Sequence, residues 1–179
     1  MIKSEIEGEL AGKGDFIQID YLTRFLKEPL TMDMKKFVFL KLAELYEKIS
    51  MLKEAAKNYD NAAMISILFS EKINHYMKEA ELYIKADDFE KSDRAMKKAM
   101  SQANSTEKNE IYITVKDFYK RQAEIYEKNL KRAHAARFYE KLLEMKISDS
   151  ERKEIREKLL EIYDKLGKRK EYLVLKKGL

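Results

Sequence analysis

Apolar residues recur along this chain with helical rather than alternating periodicity. Phe37, Leu40, Leu42, Leu45 and Ile49 mark one helix, and Leu52, Ala55, Ala56, Tyr59 and Ala63 mark the next. Superimposed on this pattern is a longer one. A hexapeptide returns four times, as AELYEK at 43–48, AELYIK at 80–85, AEIYEK at 123–128 and LEIYDK at 160–165. Its tyrosines, Tyr46, Tyr83, Tyr126 and Tyr163, stand 37, 43 and 37 residues apart. A period of that length on helical patterning predicts an array of stacked helix pairs. Such arrays expose extended surfaces, so binding is the expected class of function.

The columns of the repeat say what each helix needs. Three residues before the tyrosine stand Ala43, Ala80, Ala123 and Leu160. Nine after it come Ala55, Ser92, Ala135 and, exceptionally, Tyr172. Thirteen after it come Tyr59, Met96, Tyr139 and Lys176, and sixteen after it Ala62, Ala99, Leu142 and Leu179. Small residues let helices approach closely, and aromatic or Met side chains fill the space beside them. Ser50, Asp87-Asp88 and Gly167 break the pattern between paired helices, with Asn129 near that place in the third unit. This spacing resembles the tetratricopeptide repeat superfamily over residues 36–179. Its long periods, and the stretch QAEIYEKNLKRAHAARFYEKLLEM, are similar to the soluble NSF-attachment-protein branch. The resemblance implies an all-α, right-handed solenoid of stacked antiparallel helix pairs, with nine or ten helices in a single domain. Repeats are expected at 31–69, 70–105, 106–147 and 148–179, behind a degenerate unit at 1–30. In that unit Ser4–Leu10 reads as a stub helix, Asp15 as the N-cap of a second and Pro29 as its close. Thr31 then caps a helix running to about Ile49.

Composition narrows the class. A single Pro and five Gly leave little turn chemistry for an all-β fold, and 39% charged against 45% apolar residues suits amphipathic helices. The absence of Cys removes disulfides, thiolate metal sites and cysteine nucleophiles. The N-terminus MIKSEIEGEL does not read as a signal peptide, and the longest apolar stretch, Ala62 to Phe69, is too short to span a bilayer. A cytoplasmic protein with no membrane partner is expected. The net charge of +5 is graded, from −1 over residues 1–50 to +4 over 151–179.

No catalytic, cofactor or metal constellation emerges, and the chain reads as a non-enzyme. His75 and His134 are preceded at the Glu-x-x-His spacing by Lys72 and Lys131, and no phosphate-binding glycine loop or nucleophile elbow occurs. His75 and Glu79 stand one turn apart, which reads as a surface pair; His134 with Lys131, Arg132 and Arg137 reads as a solvated face. Asn104-Ser105-Thr106 matches a glycosylation sequon that a cytosolic chain would not use.

In the family the first helix of each pair lines a concave groove, at positions nine, six and two before the tyrosine and one and two after it. The resemblance therefore assigns Phe37, Leu40, Glu44, Met77, Glu81, Ile84, Lys120, Glu124 and Glu161 as candidate partner-binding residues. Phe37, Leu40, Met77 and Ile84 are the apolar anchors. Every unit has Glu two before the tyrosine and Lys two after it, which can also be local helix support of about 0.3 kcal/mol per pair. Family members that clamp carboxylate tails carry Asn where this chain has Glu, so that use is not expected. The expected role is an adaptor that binds a peptide or amphipathic helix, basic at one end, of another protein. The alternative is a nucleic-acid binder using Arg121, Lys131, Arg132, Arg137 and the basic tail. Leu173, Val174 and Leu175, in a final helix too short to be stable unless packed, suggest a homodimer or a fold-back onto the fourth hairpin.

Overall fold

A computed structural model describes residues 3–177. Ten helices run through them: α1 (Lys3–Leu10), α2 (Asp15–Phe25), α3 (Met32–Lys48), α4 (Leu52–Ile65), α5 (Phe69–Lys85), α6 (Phe89–Ser101), α7 (Ser105–Lys128), α8 (Arg132–Glu144), α9 (Asp149–Lys165) and α10 (Arg169–Lys177). No strand occurs among the described residues, and consecutive helices pack on one another. The chain divides into two compact units, Met1–Tyr112 and Ile113–Leu179, with the boundary inside α7.

Each hexapeptide ends its helix in the same way. The Tyr46 carbonyl accepts from the Met51 N–H at 2.8 Å, Tyr83 from Asp88 at 2.9 Å, Tyr126 from Lys131 at 2.8 Å and Tyr163 from Lys168 at 2.9 Å. One step inside, Ser50, Asp87, Leu130 and Gly167 donate to Glu47, Ile84, Glu127 and Asp164 at 2.9 to 3.1 Å. This pair of bonds is the Schellman ending, which requires a left-handed residue just past the helix. That residue is Ser50, Asp87, Leu130 or Gly167, with φ between 56° and 68°. Only the fourth unit uses glycine, which adopts this conformation without strain. In the third unit the left-handed residue is Leu130, one place after the Asn129 that the sequence offered.

Helix starts are equally local. Thr31 accepts from the Met34 N–H at 3.3 Å, as expected, and Asp88 from Lys91 at 3.3 Å. Ser148 and Glu151 form a reciprocal capping box. Asn104 and Glu107 exchange bonds of 3.0 and 2.8 Å in the same way, so the sequon-like triplet is a helix start. Asp15 is not the N-cap of α2. Gly14 holds that place, and the Asp15 carboxylate instead accepts from Lys48 Nζ at 2.6 Å.

In the first unit the core runs from α1 to the start of α7. Ile6, Leu10, Leu22, Val38 and Leu42 form one cluster; Ala43, Ala55, Ala56, Tyr59, Leu82 and Tyr83 form a second. Ala63, Tyr76, Ala99 and Ile111 form a third. In the second unit Phe138 lies 6.0 Å from Tyr119 and 5.4 Å from Tyr126 between ring centroids, and Ala135, Ala136, Leu142, Leu159 and Tyr163 are buried as well. The small columns of the repeat are therefore core: Ala43, Ala80, Ala123, Ala55, Ser92 and Ala135 are all fully buried. Leu179, in the last column, lies outside the described residues. α10 packs on α9, with Tyr172 and Leu175 half-buried and Leu173 and Val174 exposed.

Leu130 is 69% exposed and contributes little burial, so replacing it removes strain without opening the core. Left-handed strain costs about 1–2 kcal/mol and glycine's unfolded-state entropy offsets about 0.5–1, so Leu130→Gly stabilises by about 0.5–1 kcal/mol in chemical denaturation. Ser92 is buried with no partner for its hydroxyl, in a column where Ala55 and Ala135 stand. Ser92→Ala removes the unsatisfied group and is expected to stabilise by about 1 kcal/mol. A destabilised variant in either case would contradict the local geometry.

Candidate functional site

α3 and α5 carry the candidate residues of the first unit. Two and six residues before their tyrosines, Glu44 with Leu40 and Glu81 with Met77 stand one turn apart, on one face of each helix. Glu44 is exposed, while Leu40, Met77 and Glu81 are half-buried. Phe37 is also half-buried, packed against the cluster that holds Ile6 and Leu10, with the ammoniums of Lys3 and Lys41 each 5.8 Å from its ring. In the second unit Lys120 and Glu124 on α7 are half-buried and Glu161 on α9 is exposed.

Ile84 is placed otherwise. It is 1% exposed, a core side chain that offers no surface to a partner. The column one after the tyrosine faces the second helix of its own hairpin. Tyr59 Oη donates to Glu47 Oε1 at 3.0 Å, and Tyr139 Oη donates to Glu127 Oε2 at 2.6 Å. The residues at these two places are Glu and Tyr in units one and three, Ile84 and Met96 in unit two, and Asp164 and Lys176 in unit four. Polar stands with polar and apolar with apolar, a match between columns that the sequence already contained. Burial, then the Glu47 and Glu127 carboxylates, raises the Tyr59 and Tyr139 hydroxyls well above the usual tyrosine range, so both remain donors.

The Glu–Lys pairs around the tyrosines are only partly formed. Lys85 Nζ lies 2.8 Å from Glu81 Oε1, and Lys165 pairs with Glu161. Lys48 turns to Asp15 instead, and Glu44 meets Lys41 at 3.6 Å. Burial works to raise the Glu81 carboxyl, but Lys85 and Lys78 hold it below the usual range. A column the sequence reading passed over lies five before each tyrosine, where Lys41, Lys78, Arg121 and Lys158 are all basic. Lys78 reaches Glu81 at 3.4 Å. Lys158 Nζ donates to Tyr139 Oη at 3.3 Å and lies 3.9 Å from both Glu127 and Glu154. Of the basic residues of the alternative reading, Arg121 sits over the Phe118 ring at 5.0 Å and Lys131 over Tyr126 at 6.0 Å.

The stretch that the sequence showed only as a short apolar run is the main exposed apolar feature of the first unit. Met64, Ile67, Leu68 and Phe69 are all exposed where α4 passes to α5, Ile67 at 89%. Met32, the first residue of α3, is exposed as well. Lys36 Nζ meets Glu71 Oε2 at 2.8 Å and ties the second turn of α3 to the first turn of α5. His75 does not pair with Glu79. Its ring stacks on Tyr59 at 6.2 Å, and burial, opposed by Glu71, lowers its pKa. No group of three or more metal-ligating side chains, and no helix long and apolar enough to cross a membrane, occurs among the described residues. Comparison with protein-family models, characterised proteins and solved structures gives no match.

If Glu127 belongs to its own hairpin, Glu127→Ala and Tyr139→Phe are strongly non-additive. A double-mutant cycle by denaturation should give a coupling of about 1 kcal/mol. Coupling near zero would return this column to the surface available to a partner.

Proposed function

We propose that the protein is a cytoplasmic adaptor of the tetratricopeptide-like superfamily, a right-handed solenoid whose first unit binds an amphipathic segment of another protein. The observation that carries this reading is the exposed apolar cluster Met64, Ile67, Leu68 and Phe69, with Met32 at the start of the neighbouring helix. Contiguous apolar surface of this kind marks interaction sites in soluble proteins. Along α5 the offered side chains pass from Phe69 through half-buried Met77 to Glu81. At 1.5 Å per residue the apolar start and the acidic end are about 18 Å apart. α3 repeats the order with Met32, Leu40 and Glu44. A ligand matching this surface is apolar over most of its length and basic at one end.

Phe69 and Met77 supply affinity in this reading, and Glu44 sets orientation and association rate. Ile84 has no part in it. In the second unit, Lys120, Glu124 and Glu161 are polar, which suits selection of a partner more than its retention. The nucleic-acid alternative is less supported, because two of its basic groups lie over the protein's own aromatic rings.

Affinity capture with the wild-type chain and a Phe69→Ser/Met77→Ala variant tests the proposal. The wild type is expected to retain a discrete protein partner that the variant loses by at least about tenfold, the effect of 1.4 kcal/mol. Glu44→Lys should slow association and flatten its salt dependence. Equal capture by both chains, or retention only of nucleic acid that salt releases, would reject the reading.

A further inference from the structure

Glu79 is a charged-type side chain placed in the core. It stands on α5 with 4% of its surface exposed. Lys98, reaching across from α6, brings Nζ to 3.3 and 3.5 Å from its two carboxylate oxygens. The same ammonium lies 2.8 Å from Oδ1 of Asp60 on α4, and 5.4 Å from the centroid of the Tyr76 ring. Three consecutive helices thus meet at two carboxyl groups and one cation. We propose that Glu79, Asp60 and Lys98 form a proton-operated latch that holds α4, α5 and α6 together more tightly in mild acid than at neutral pH.

The arithmetic of charge sets the direction. With Glu79 protonated, Lys98 and Asp60 neutralise each other and the buried acid carries no charge. With Glu79 ionised, a buried anion and the half-buried Asp60 share one ammonium, and the desolvation of Glu79 is not fully compensated. Burial, and then Asp60, outweigh Lys98 and push the Glu79 carboxyl from 4.5 up to about 7. The groups facing it are Asp60 from α4, Lys98 from α6, and Tyr76 and Tyr83 from α5 itself; burial raises both phenols, so neither ionises in this window. The folded chain holds a proton that the opened chain releases. The stabilisation is therefore complete below about pH 4.5 and is lost as pH rises toward 7, above which it changes no further. His75 titrates in the opposite sense, because its lowered pKa removes stability as pH falls. A comparison with Glu79→Gln cancels that contribution.

Hydrogen exchange of α5 and α6 amides, corrected for intrinsic rates, reads the latch directly. Between pH 5 and 7 the opening constant of the wild type should rise several-fold per pH unit relative to Glu79→Gln, approaching but not reaching the roughly tenfold that one full proton contributes. Asp60→Asn should shift the Glu79 titration downward and shrink that difference. Identical pH slopes in wild type and Glu79→Gln would overturn the proposal. Should Glu79→Gln fail to fold, a carbon-detected titration of the wild-type Glu79 carboxyl decides, and a midpoint below pH 5 overturns it.

Discussion

Everything in the array depends on how its first helices stop. A helix leaves its last four carbonyls without partners, and a chain that must double back has to satisfy them within a few residues. Here the tyrosine carbonyl takes the N–H five residues on, and the residue just before that donor turns left-handed. The second helix then starts six residues after the tyrosine in all four units. Because the turn has one length and one geometry, columns at fixed distance from the tyrosine can face each other across every hairpin. Three of the four units accept a strained Ser, Asp or Leu at the left-handed place to keep that register.

That register makes the repeat's chemistry pairwise. In units one and three the residue after the tyrosine meets the residue thirteen after the tyrosine, and in unit two both columns change together from Glu–Tyr to Ile–Met. A tyrosine hydroxyl cannot be buried without a partner, and a carboxylate one helix away supplies it. The exchange of both members for apolar residues is consistent with the near-neutral balance of a satisfied hydrogen bond against apolar contact. That column therefore lies inward in units one to three, while residues two and six before the tyrosine of the first two units are half-buried or exposed.

Polar burial and apolar exposure coexist in the first unit, and each departs from simple patterning. The Glu79 carboxyl is buried where the Lys98 ammonium of α6 reaches it, the same ammonium that Asp60 of α4 accepts from. Ile67, Leu68 and Phe69 are exposed because they fall where α4 stops and α5 has barely begun, where no further turn of helix covers them. Such departures from local consistency are where functional sites are expected.

The sequence by itself determined the helices, their order and their core columns, because a side chain's place around a helix follows from counting residues at 3.6 per turn. Ala43, Ala55, Ala135 and Leu142 are buried where counting puts them. It also marked the breaks at Ser50, Asp87 and Gly167, since turn residues punctuate a periodic pattern. What counting along one helix does not provide is the rotation of that helix against its neighbour. That rotation turned Ile84 from a surface position into the core, sent Lys48 to Asp15 rather than Glu44, and brought Asp60, Glu79 and Lys98 together from three helices. Contacts between elements depend on packing angles set by many side chains at once, so only the tertiary structure decided them.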